Sequence, residues 1–511
     1  MPVVAASTYD VTIIGGGHNG LVAATYLAKA GKSVVILEAN SEIGGATTSV
    51  RAFAEFDARI SRYSYLVSLL PDQIISDLGL NFECLSRKVS SYTPYSRNGN
   101  DLGLYVARQW DQETADSFNE IDPTGAEWQA WQGFYNELAV FAQKIAPTML
   151  KPLQSRSELK SFIDMPEVWD YLMERPIGEV IKERFKDDIV RGVILTDALV
   201  GTFASAFEMQ ANICFLYHLI GNGSGEWKVP RGGMGALVKE LERVATAAGV
   251  TIKVNSRVSA VTTSSTNATV TLEDGSEITS AYILSNAAPQ TLAKLRGTPP
   301  PQSLDGAQMK INILLKALPK LKSGIDPRLA FAGTFHANES FSIFESTFAD
   351  AKAGKLADKL PIEMYCHTLT DPSILSTQLQ EAGYQTLTLF GFHTPAALFE
   401  ADNEGTKARA LKAALASLNE LLVEPIETLI ADIEVKSPLD IEGEIGLPRG
   451  NIFHKDLSFP FREDNQQAGW GVETDDPRIF ICGAGAMRGG GVSGIPGHNA
   501  AMAVLETYQI D

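Results

Sequence analysis

The sequence predicts an α/β protein, and three observations lead to that prediction. The chain opens with a short apolar strand, a glycine-rich turn, an Ala-rich helix and a second apolar strand, all within residues 9–38. Strand and helix patterns of the same kind return at 225–297. A third unit of strand, glycines and helix follows at 478–508. Strands that alternate with helices in this way are typical of a parallel sheet covered by helices.

The first unit carries the spacing of a dinucleotide-binding turn. Gly15, Gly17 and Gly20 follow the first strand as G-x-G-x-x-G, and Glu38 closes the second strand. Gly15 permits the tight turn, Gly17 lets backbone approach a pyrophosphate, and Gly20 lets the helix pack closely on the strand. Glu38 is placed to accept hydrogen bonds from a ribose, which favours FAD or NAD over NADP. The position of the unit near residue 9 fits flavoproteins that bind FAD first.

Composition and charge narrow the possible functions. The 511 residues are enough for two or three domains. The formal net charge of -18, with no basic cluster, does not predict nucleic-acid binding. No run of about 20 apolar residues predicts membrane insertion, and without a signal-peptide pattern we expect a cytoplasmic protein. The four scattered cysteines predict neither a redox dithiol nor a metal site.

Residues 76–224 are predicted to be mainly helical. The pattern Thr124-x-x-Glu127 predicts a capping box at the start of one helix. An aromatic stripe follows at steps of three and four residues, and it comprises Trp128, Trp131, Tyr135, Leu138 and Phe141. Such a stripe is typical of a helical core, and a substrate-lining role is the alternative.

The later parts of the chain predict two groups of strands. Between 225 and 297 a helix precedes strands at Thr251–Val254, Val258–Val261, Ala268–Leu272 and Glu277–Leu284. After a proline linker, residues 302–440 predict a sheet with strands Met309–Leu315, Ile362–His367 and Thr386–Phe392. A covering helix is predicted at Lys407–Val423, where leucines recur on one face.

The third unit is dense in glycine. Seven glycines fall between the strand Arg478–Cys482 and a helical run that begins at His498. A long glycine loop inside a compact domain is uncommon without a functional reason. We expect this backbone to lie against a flat ligand. The helix that follows Pro496 would then direct its positive end at the electron-rich part of that ligand.

Taken together, these motifs resemble the phytoene-desaturase-like FAD flavoproteins, and within them the soluble pyridine-nucleotide-disulphide-oxidoreductase-domain branch. The resemblance covers nearly the whole chain and rests on GGGHNGL with its acid, ISRYSYLVSLL, GEWKVPRGGMGAL, MKINILL, DPS, GNIFH and FICGAGAMRGGGVSGIPGHNAA. It implies a Rossmann-like FAD-binding domain of the glutathione-reductase and amine-oxidase type, with an inserted α+β substrate domain. The FAD-binding domain would comprise 1–75, 225–300 and 441–511, and the substrate domain 76–224 and 301–440.

The resemblance also implies a set of cofactor-binding residues. They are Gly15, Gly17 and Gly20 at the pyrophosphate, Glu38 at the ribose, Gly44 and Gly45 along the ribityl arm, Val258 at the adenine, and Gly483, Gly494, Pro496 and Asn499 at the flavin. One segment departs from the family pattern. Many relatives carry Thr-His-Pro where this chain has Ala486-Met487-Arg488, which leaves the specific substrate open.

Four functions remain open. The chain could be a flavin desaturase that acts across a C–C bond, an amine oxidase that acts on a C–N bond, or a redox-neutral polyene isomerase. The fourth, from another class, is a prenyl-lipid carrier without flavin, like the GDP-dissociation inhibitors. The intact glycines and Glu38 argue against the carrier. Release of ammonia separates amine oxidation from desaturation.

The substrate and the catalytic residues are less constrained. A membrane-derived carotenoid would need an apolar or basic docking surface, which this acidic composition does not predict. We therefore expect a small alicyclic substrate whose C–H bond is acidified by a carbonyl group, such as a cyclic keto acid, with a carotenoid-type substrate as the alternative. The catalytic candidates are Tyr65 as the base, Arg62 as the group that holds the enolate, and His498 beside the flavin. With no second convincing dinucleotide motif, O2 or a quinone is the expected electron acceptor. The number of subunits stays open.

Overall fold

The computed structural model describes residues 7–510. Its strands are β1 (Ser7–Ile14), β2 (Val34–Leu37), β3 (Ser49–Val50), β4 (Ile60–Ser61), β5 (Cys84–Leu85), β6 (Val89–Arg97), β7 (Asn100–Ala107), β8 (Val229–Pro230), β9 (Thr251–Lys253), β10 (Val258–Thr263), β11 (Ala268–Leu272), β12 (Glu277–Ser285), β13 (Met309–Leu315), β14 (Thr334–Ala337), β15 (Ile362–Tyr365), β16 (Gln385–Gly391), β17 (Ile430–Lys436) and β18 (Ile479–Ile481). Its α-helices are α1 (His18–Lys29), α2 (Asp72–Leu78), α3 (Gln112–Ile121), α4 (Ala126–Ile145), α5 (Arg156–Ile163), α6 (Pro166–Trp169), α7 (Ile177–Arg184), α8 (Asp188–Leu199), α9 (Met209–Ile220), α10 (Met234–Ala247), α11 (Pro289–Leu295), α12 (Pro327–Ala330), α13 (Phe341–Lys352), α14 (Thr377–Glu381), α15 (Asn403–Asn419), α16 (Pro438–Ile445) and α17 (Ile495–Ile510).

The first of two seven-stranded sheets confirms the predicted α/β class. Its strand order is β10-β11-β12-β1-β2-β9, and β18 pairs in parallel with β12. The strands therefore come from three separate parts of the chain. Ile14 is in register with both Leu37 and Ser285, so the parallel strands β1, β2 and β12 end at the same edge. Ligands bind beyond this edge in open parallel sheets.

The second sheet has the order β17-β13-β16-β15-β14-β6-β7. The predicted strands β13, β15 and β16 are confirmed, with β13 at the predicted bounds. The prediction that 76–224 is mainly helical is wrong for the hairpin β6–β7, which extends this sheet through β14. The signal was present in the sequence. Asn98-Gly99, both with positive φ of 53° and 79°, forms the turn that favours two-residue hairpins.

The rest of that region is helical and forms its own core. Three members of the predicted aromatic stripe, Trp131, Leu138 and Phe141, are at most 4% exposed and lie in this core. The capping box at Thr124 does not form, because α4 starts at Ala126. The Asp122 carboxylate accepts the Glu127 N–H at 3.1 Å instead. Within residues 7–510, no helix is long and apolar enough to span a bilayer.

Candidate active site

A cavity of about 440 Å³ lies at the carboxyl edge of the first sheet and reaches β13 and β16 of the second. At one end it is lined by the residues that follow β1, β2 and β12. At the other end it is lined by side chains of the second sheet and of α9. The position follows from the topology, since three parallel strands deliver their carboxyl ends to one place.

The glycine turn after β1 is shaped for close backbone contacts. Gly15 has φ +96°, in the region that favours glycine. A Cβ at Gly20 would lie 2.6 Å from the Gly15 carbonyl oxygen, so α1 packs on the turn as the motif predicts. A Cβ at Gly17 would lie 2.8 Å from Nδ2 of Asn286. The chain thus keeps the start of α1 open to a phosphate group.

Glu38 is held in place at the end of β2. Its side chain is 7% exposed, Oε2 accepts the N–H of Gly16 at 2.8 Å, and Oε1 accepts the N–H of Asn40 at 2.8 Å. Each carboxylate oxygen has more than one lone-pair site, so both can still accept a ribose hydroxyl. Val258, which the sequence predicts at the adenine, lines the cavity together with Glu38.

The second glycine pair lies directly against the first turn. Gly44 has φ +122°, and its N–H donates to the Gly16 carbonyl at 2.9 Å. Gly45 has φ +55°, and both glycines line the cavity. His18 Nδ1 lies 2.9 Å from Thr47 Oγ1, and burial lowers the pKa of His18 to about 4. A neutral His18 therefore ties α1 to the segment after Gly45.

The C-terminal glycine run lines the cavity, but with different residues from those predicted. Its lining residues are Ala484, Gly490, Gly491 and Val492. The predicted residues Gly483, Gly494, Pro496 and Asn499 lie outside the lining. A Cβ at Gly483 would lie 2.6 Å from the Asn286 carbonyl oxygen, and one at Gly497 would overlap the Asn19 carbonyl. Gly483 therefore permits close packing of the residues after β18 on Asn286, and Gly497 permits close packing of α17 on α1. The cofactor-binding role of Gly483, Gly494, Pro496 and Asn499 stays a prediction.

Two of the three catalytic candidates lie outside the cavity lining. The Arg62 Nε donates to Glu434 at 3.0 Å, and its guanidinium also pairs with Glu444. The His498 ring packs 5.0 Å from Tyr26 and 6.1 Å from Trp470, between centroids. Both side chains are thus engaged with protein partners. A catalytic part for Arg62 or His498 therefore has no support in the geometry.

Tyr65 does line the cavity, but its hydroxyl is engaged. It donates to Oε1 of Glu363 at 3.1 Å, and Tyr365 donates to Oε2 of the same carboxyl group at 3.0 Å. Burial, with the nearby Glu363, raises the pKa of Tyr65 well above its ordinary value. Burial also raises the pKa of Glu363 to about 7. Tyr65 is therefore placed as a hydrogen-bond donor, and the expectation that it acts as the base is not favoured.

Lys310, the second residue of β13, was not singled out from the sequence. It lines the cavity and is 1% exposed, and its Nζ has no hydrogen-bond partner among residues 7–510. The Nζ lies 4.0 Å from the Phe390 ring centroid and 4.6 Å from that of Tyr65. Burial lowers its pKa well below the ordinary lysine value. The available signal was a single charge inside the apolar strand MKINILL.

Asn286, directly after β12, also escaped the sequence reasoning. Its Nδ2 donates to the Gly15 carbonyl at 3.2 Å, and its side chain lines the cavity. Through this hydrogen bond, Asn286 connects the end of β12 to the glycine turn after β1. The site thus has a helix start for a diphosphate, a carboxylate for a ribose, and a buried amine at the far end. These groups fit FAD.

Comparison with known proteins agrees with this fit. The family model for flavin-containing amine oxidoreductases matches residues 20–314. An uncharacterized protein of Mycobacterium tuberculosis is 42% identical over 97% of each chain. The pyridine nucleotide-disulfide oxidoreductase domain-containing protein 2 of Mus musculus is 29% identical over 97% of this chain and 93% of its own. A carotenoid 3,4-desaturase of Haloarcula japonica is 26% identical over 49% of this chain and 50% of its own.

Solved structures share the fold at low sequence identity. A triple mutant of putrescine oxidase superposes with a TM-score of 0.60, at 19% identity, over 98% of this chain and 100% of that one. An oxidoreductase from Methanosarcina mazei superposes with a TM-score of 0.59, at 14% identity, over 98% and 99%. At these identities the likeness shows the architecture alone.

Proposed function

The chain belongs to the flavin-containing amine oxidoreductases and uses FAD, and on that basis we propose that it desaturates a small alicyclic substrate next to a carbonyl group. When bound, FAD would accept a hydride from the substrate. The chain itself must then supply a base for the neighbouring proton. Lys310, a buried amine without a partner that faces the cavity, is the observation that carries the proposal.

Lys310 has the properties of a base. Burial favours the neutral amine of a lysine over its ammonium form, and the nitrogen of a neutral amine can take a proton. A carbonyl group acidifies the C–H bond beside it, so the α-proton can pass to Nζ. The resulting ammonium needs a counter-charge. The Glu363 carboxylate raises the pKa of Lys310, against the larger effect of burial, and supplies that charge when ionised.

Glu363 organises the groups around Lys310. It is 1% exposed and accepts hydrogen bonds from both Tyr65 and Tyr365. These two bonds fix the carboxyl group and the Tyr65 ring, which forms part of the wall beside Lys310. The aromatic rings around the amine exclude water, which keeps its pKa low. Electrons would leave the enzyme through O2 or a quinone, in keeping with the lack of a second dinucleotide motif.

An amine substrate is the second candidate, favoured by family membership and by a further carboxyl group beside the cavity-lining His218. Asp197 Oδ1 lies 3.8 Å from Nε2 of His218, which lines the cavity, and burial raises the pKa of Asp197 to about 7. Carboxyl groups of this kind attract a cationic amine. The same Lys310 could then take a proton from the bound ammonium.

The deciding experiment is anaerobic reduction of the bound flavin by a panel of cyclic ketones, cyclic keto acids, cyclic amines and polyenes. We expect bleaching by ketones or keto acids without release of ammonia. Bleaching by amines with ammonia as product would establish the second candidate. Bleaching by polyenes alone would contradict both the ketone and the amine candidates and would favour a carotenoid-type substrate.

Replacement of the base gives a second, independent test. Lys310→Met should lower the limiting rate of flavin reduction by about 100-fold or more, while FAD binding persists. Lys316→Met is the matched control, because Lys316 lies just after β13 and is exposed. Equal rates in both variants would remove Lys310 from the mechanism.

A further inference from the structure

Two polar side chains of the cavity take no part in the proposed reaction. Gln308 is 5% exposed, and neither its Oε1 nor its Nε2 has a hydrogen-bond partner among residues 7–510. His454 is 8% exposed, and its Nδ1 likewise lacks a partner in that range. Both residues line the cavity. A buried polar atom left unpaired is destabilising, so such groups indicate a ligand.

The backbone of His454 adds a second sign of a binding site. Its φ of +65° lies in the left-handed region, which is strained for a non-glycine residue. The conformation is held by neighbours, since the His454 N–H donates to the Asn451 carbonyl at 2.9 Å. Nε2 of Gln290 donates to the His454 carbonyl at 3.2 Å. Strain that is held in this way tends to occur at ligand sites.

The protonation state of His454 defines what it can bind. Burial, together with the nearby His18, lowers its pKa to about 4. The ring is therefore neutral near pH 7 and offers one donor and one acceptor. Gln308 offers an amide oxygen and an amide N–H2. Both side chains suit a ligand with carbonyl and N–H groups, such as a flavin ring.

The two residues belong to the segments that join the two sheets. Gln308 stands two residues before Lys310, so in extended chain it faces the same side. Glu38 and Val258 line the end beside the first sheet, and His454 lies near His18, at the start of α1. The segments that carry Gln308 and His454 also touch each other. The Gly306 N–H donates to the Arg449 carbonyl at 2.9 Å, and a Cβ at Gly306 would overlap Gly450.

We propose that Gln308 and His454 bind the flavin half of FAD, and that bound FAD thereby clamps these two segments together. Residues 302–308 carry the chain from the first sheet to the second, and residues 449–454 lie on its return towards β18. A cofactor that satisfies both side chains therefore ties together two passages between the sheets. Loading with FAD should rigidify both segments at once.

The Gln308→Leu variant gives a test in which the two expected effects have opposite signs. In the FAD-free protein, removal of a buried unpaired amide should raise the melting temperature or leave it unchanged. FAD should then bind about 10-fold more weakly, as measured by titration of the FAD-free protein, and the FAD-induced rise in melting temperature should shrink. A purely structural glutamine would show the reverse pattern, with a lower melting temperature and an unchanged Kd.

His454→Asn tests the second contact without adding strain, because asparagine tolerates the left-handed region. Its shorter side chain should weaken FAD binding about 10-fold, with the FAD-free melting temperature little changed. ADP, the other half of the cofactor, should bind both variants as it binds the unaltered protein. A matching loss of ADP affinity would contradict placement at the flavin half.

Two matched controls lie outside the cavity lining and have protein partners. Gln385 Oε1 accepts from Thr368 Oγ1 at 2.7 Å, and His336 Nδ1 lies 2.7 Å from Thr93 Oγ1. Gln385→Leu and His336→Asn should lower the melting temperature and leave the Kd for FAD unchanged.

Hydrogen exchange of the backbone amides of 302–308 and 449–454 should slow when FAD binds the unaltered protein. It should not slow when FAD is added to the Gln308→Leu/His454→Asn double variant. The proposal is overturned if Gln308→Leu or His454→Asn changes the Kd by less than twofold, or if both segments slow equally in the double variant.

Discussion

At the scale of single residues, Glu363 influences the charge beside Lys310. It lies within reach of Tyr65, Tyr365 and Lys310, and its pKa of about 7 is raised first by burial and further by Asp197. Near neutral pH it can therefore be either a neutral acid or a carboxylate. Only the carboxylate can stabilise an ammonium at Lys310, so the ionised form is the one that supports proton abstraction.

The rate of flavin reduction should accordingly rise with pH through about 7, as Glu363 loses its proton. Glu363→Gln should abolish this step and lower the limiting rate by about 10-fold or more, because the ammonium loses its counter-charge. Asp197→Asn is the control. It should keep the step but move it to lower pH, since the Asp197 charge contributes to the raised pKa of Glu363. If the Glu363→Gln variant still shows the rise in rate near pH 7, the titrating group is a residue other than Glu363.

At the scale of elements, the glycine turn between β1 and α1 determines whether FAD can bind. Gly17 lines the cavity, and a side chain there would also meet the Asn286 amide that holds the turn. The turn is thus confined on two sides, by the cofactor and by the residue after β12. The two constraints can be separated by mutation.

Gly17→Val should abolish FAD binding in a chain that still folds, because the side chain occupies the space of the pyrophosphate. The double variant Gly17→Val/Asn286→Ala removes the clash with the amide and should still fail to bind. Recovery of binding in the double variant would show that Asn286, and not the pyrophosphate, limits residue 17. Gly133→Ala is a suitable control, since no atom lies within 4 Å of a Cβ there. Far-UV circular dichroism and FAD titration measure the two properties.

At the scale of the whole molecule, the histidines couple stability to pH. Burial lowers the pKa of all seven, namely His18, His218, His336, His367, His393, His454 and His498. The unfolded chain binds a proton at each near pH 6.5, whereas the folded chain does so only at lower pH. Five carboxyl groups act in the opposite sense, because their raised pKa makes the folded state bind protons first: Glu127, Asp197, Glu339, Glu363 and Asp456.

The seven histidines outnumber these five carboxyl groups by two, so the unfolded state takes up more protons as the pH falls below about 6.5. The free energy of unfolding should therefore decrease, by at most about 3 kcal/mol per pH unit for two protons. Urea unfolding at pH 7.5 and 5.5, at fixed ionic strength, measures this. A midpoint that stays constant or rises at pH 5.5 would contradict the prediction.

The sequence by itself determined the elements whose signals are local. The glycine turn and Glu38 lie within 30 residues, and their spacing predicts both the βαβ unit and the cofactor. Strands such as β11 and β13 were predictable because a short apolar or alternating run needs only its own period of two. The hairpin β6–β7 had a local signal as well, in Asn98-Gly99, which the helical pattern around it obscured.

Only the tertiary structure decided the identity of the groups around the reaction space. Three side chains that are distant in the sequence meet here: Lys310, Glu363 and Tyr65. The strands β13 and β15, which carry Lys310 and Glu363, both pair with β16, and the Tyr65 hydroxyl donates to Glu363. Whether a lysine is a solvated cation or a neutral base depends on how much water surrounds it, and burial is a property of the packed fold. For the same reason, Arg62 and His498 were reasonable candidates by residue type. Their partners on distant segments, Glu434 for the arginine and Tyr26 and Trp470 for the histidine, hold them outside the cavity lining.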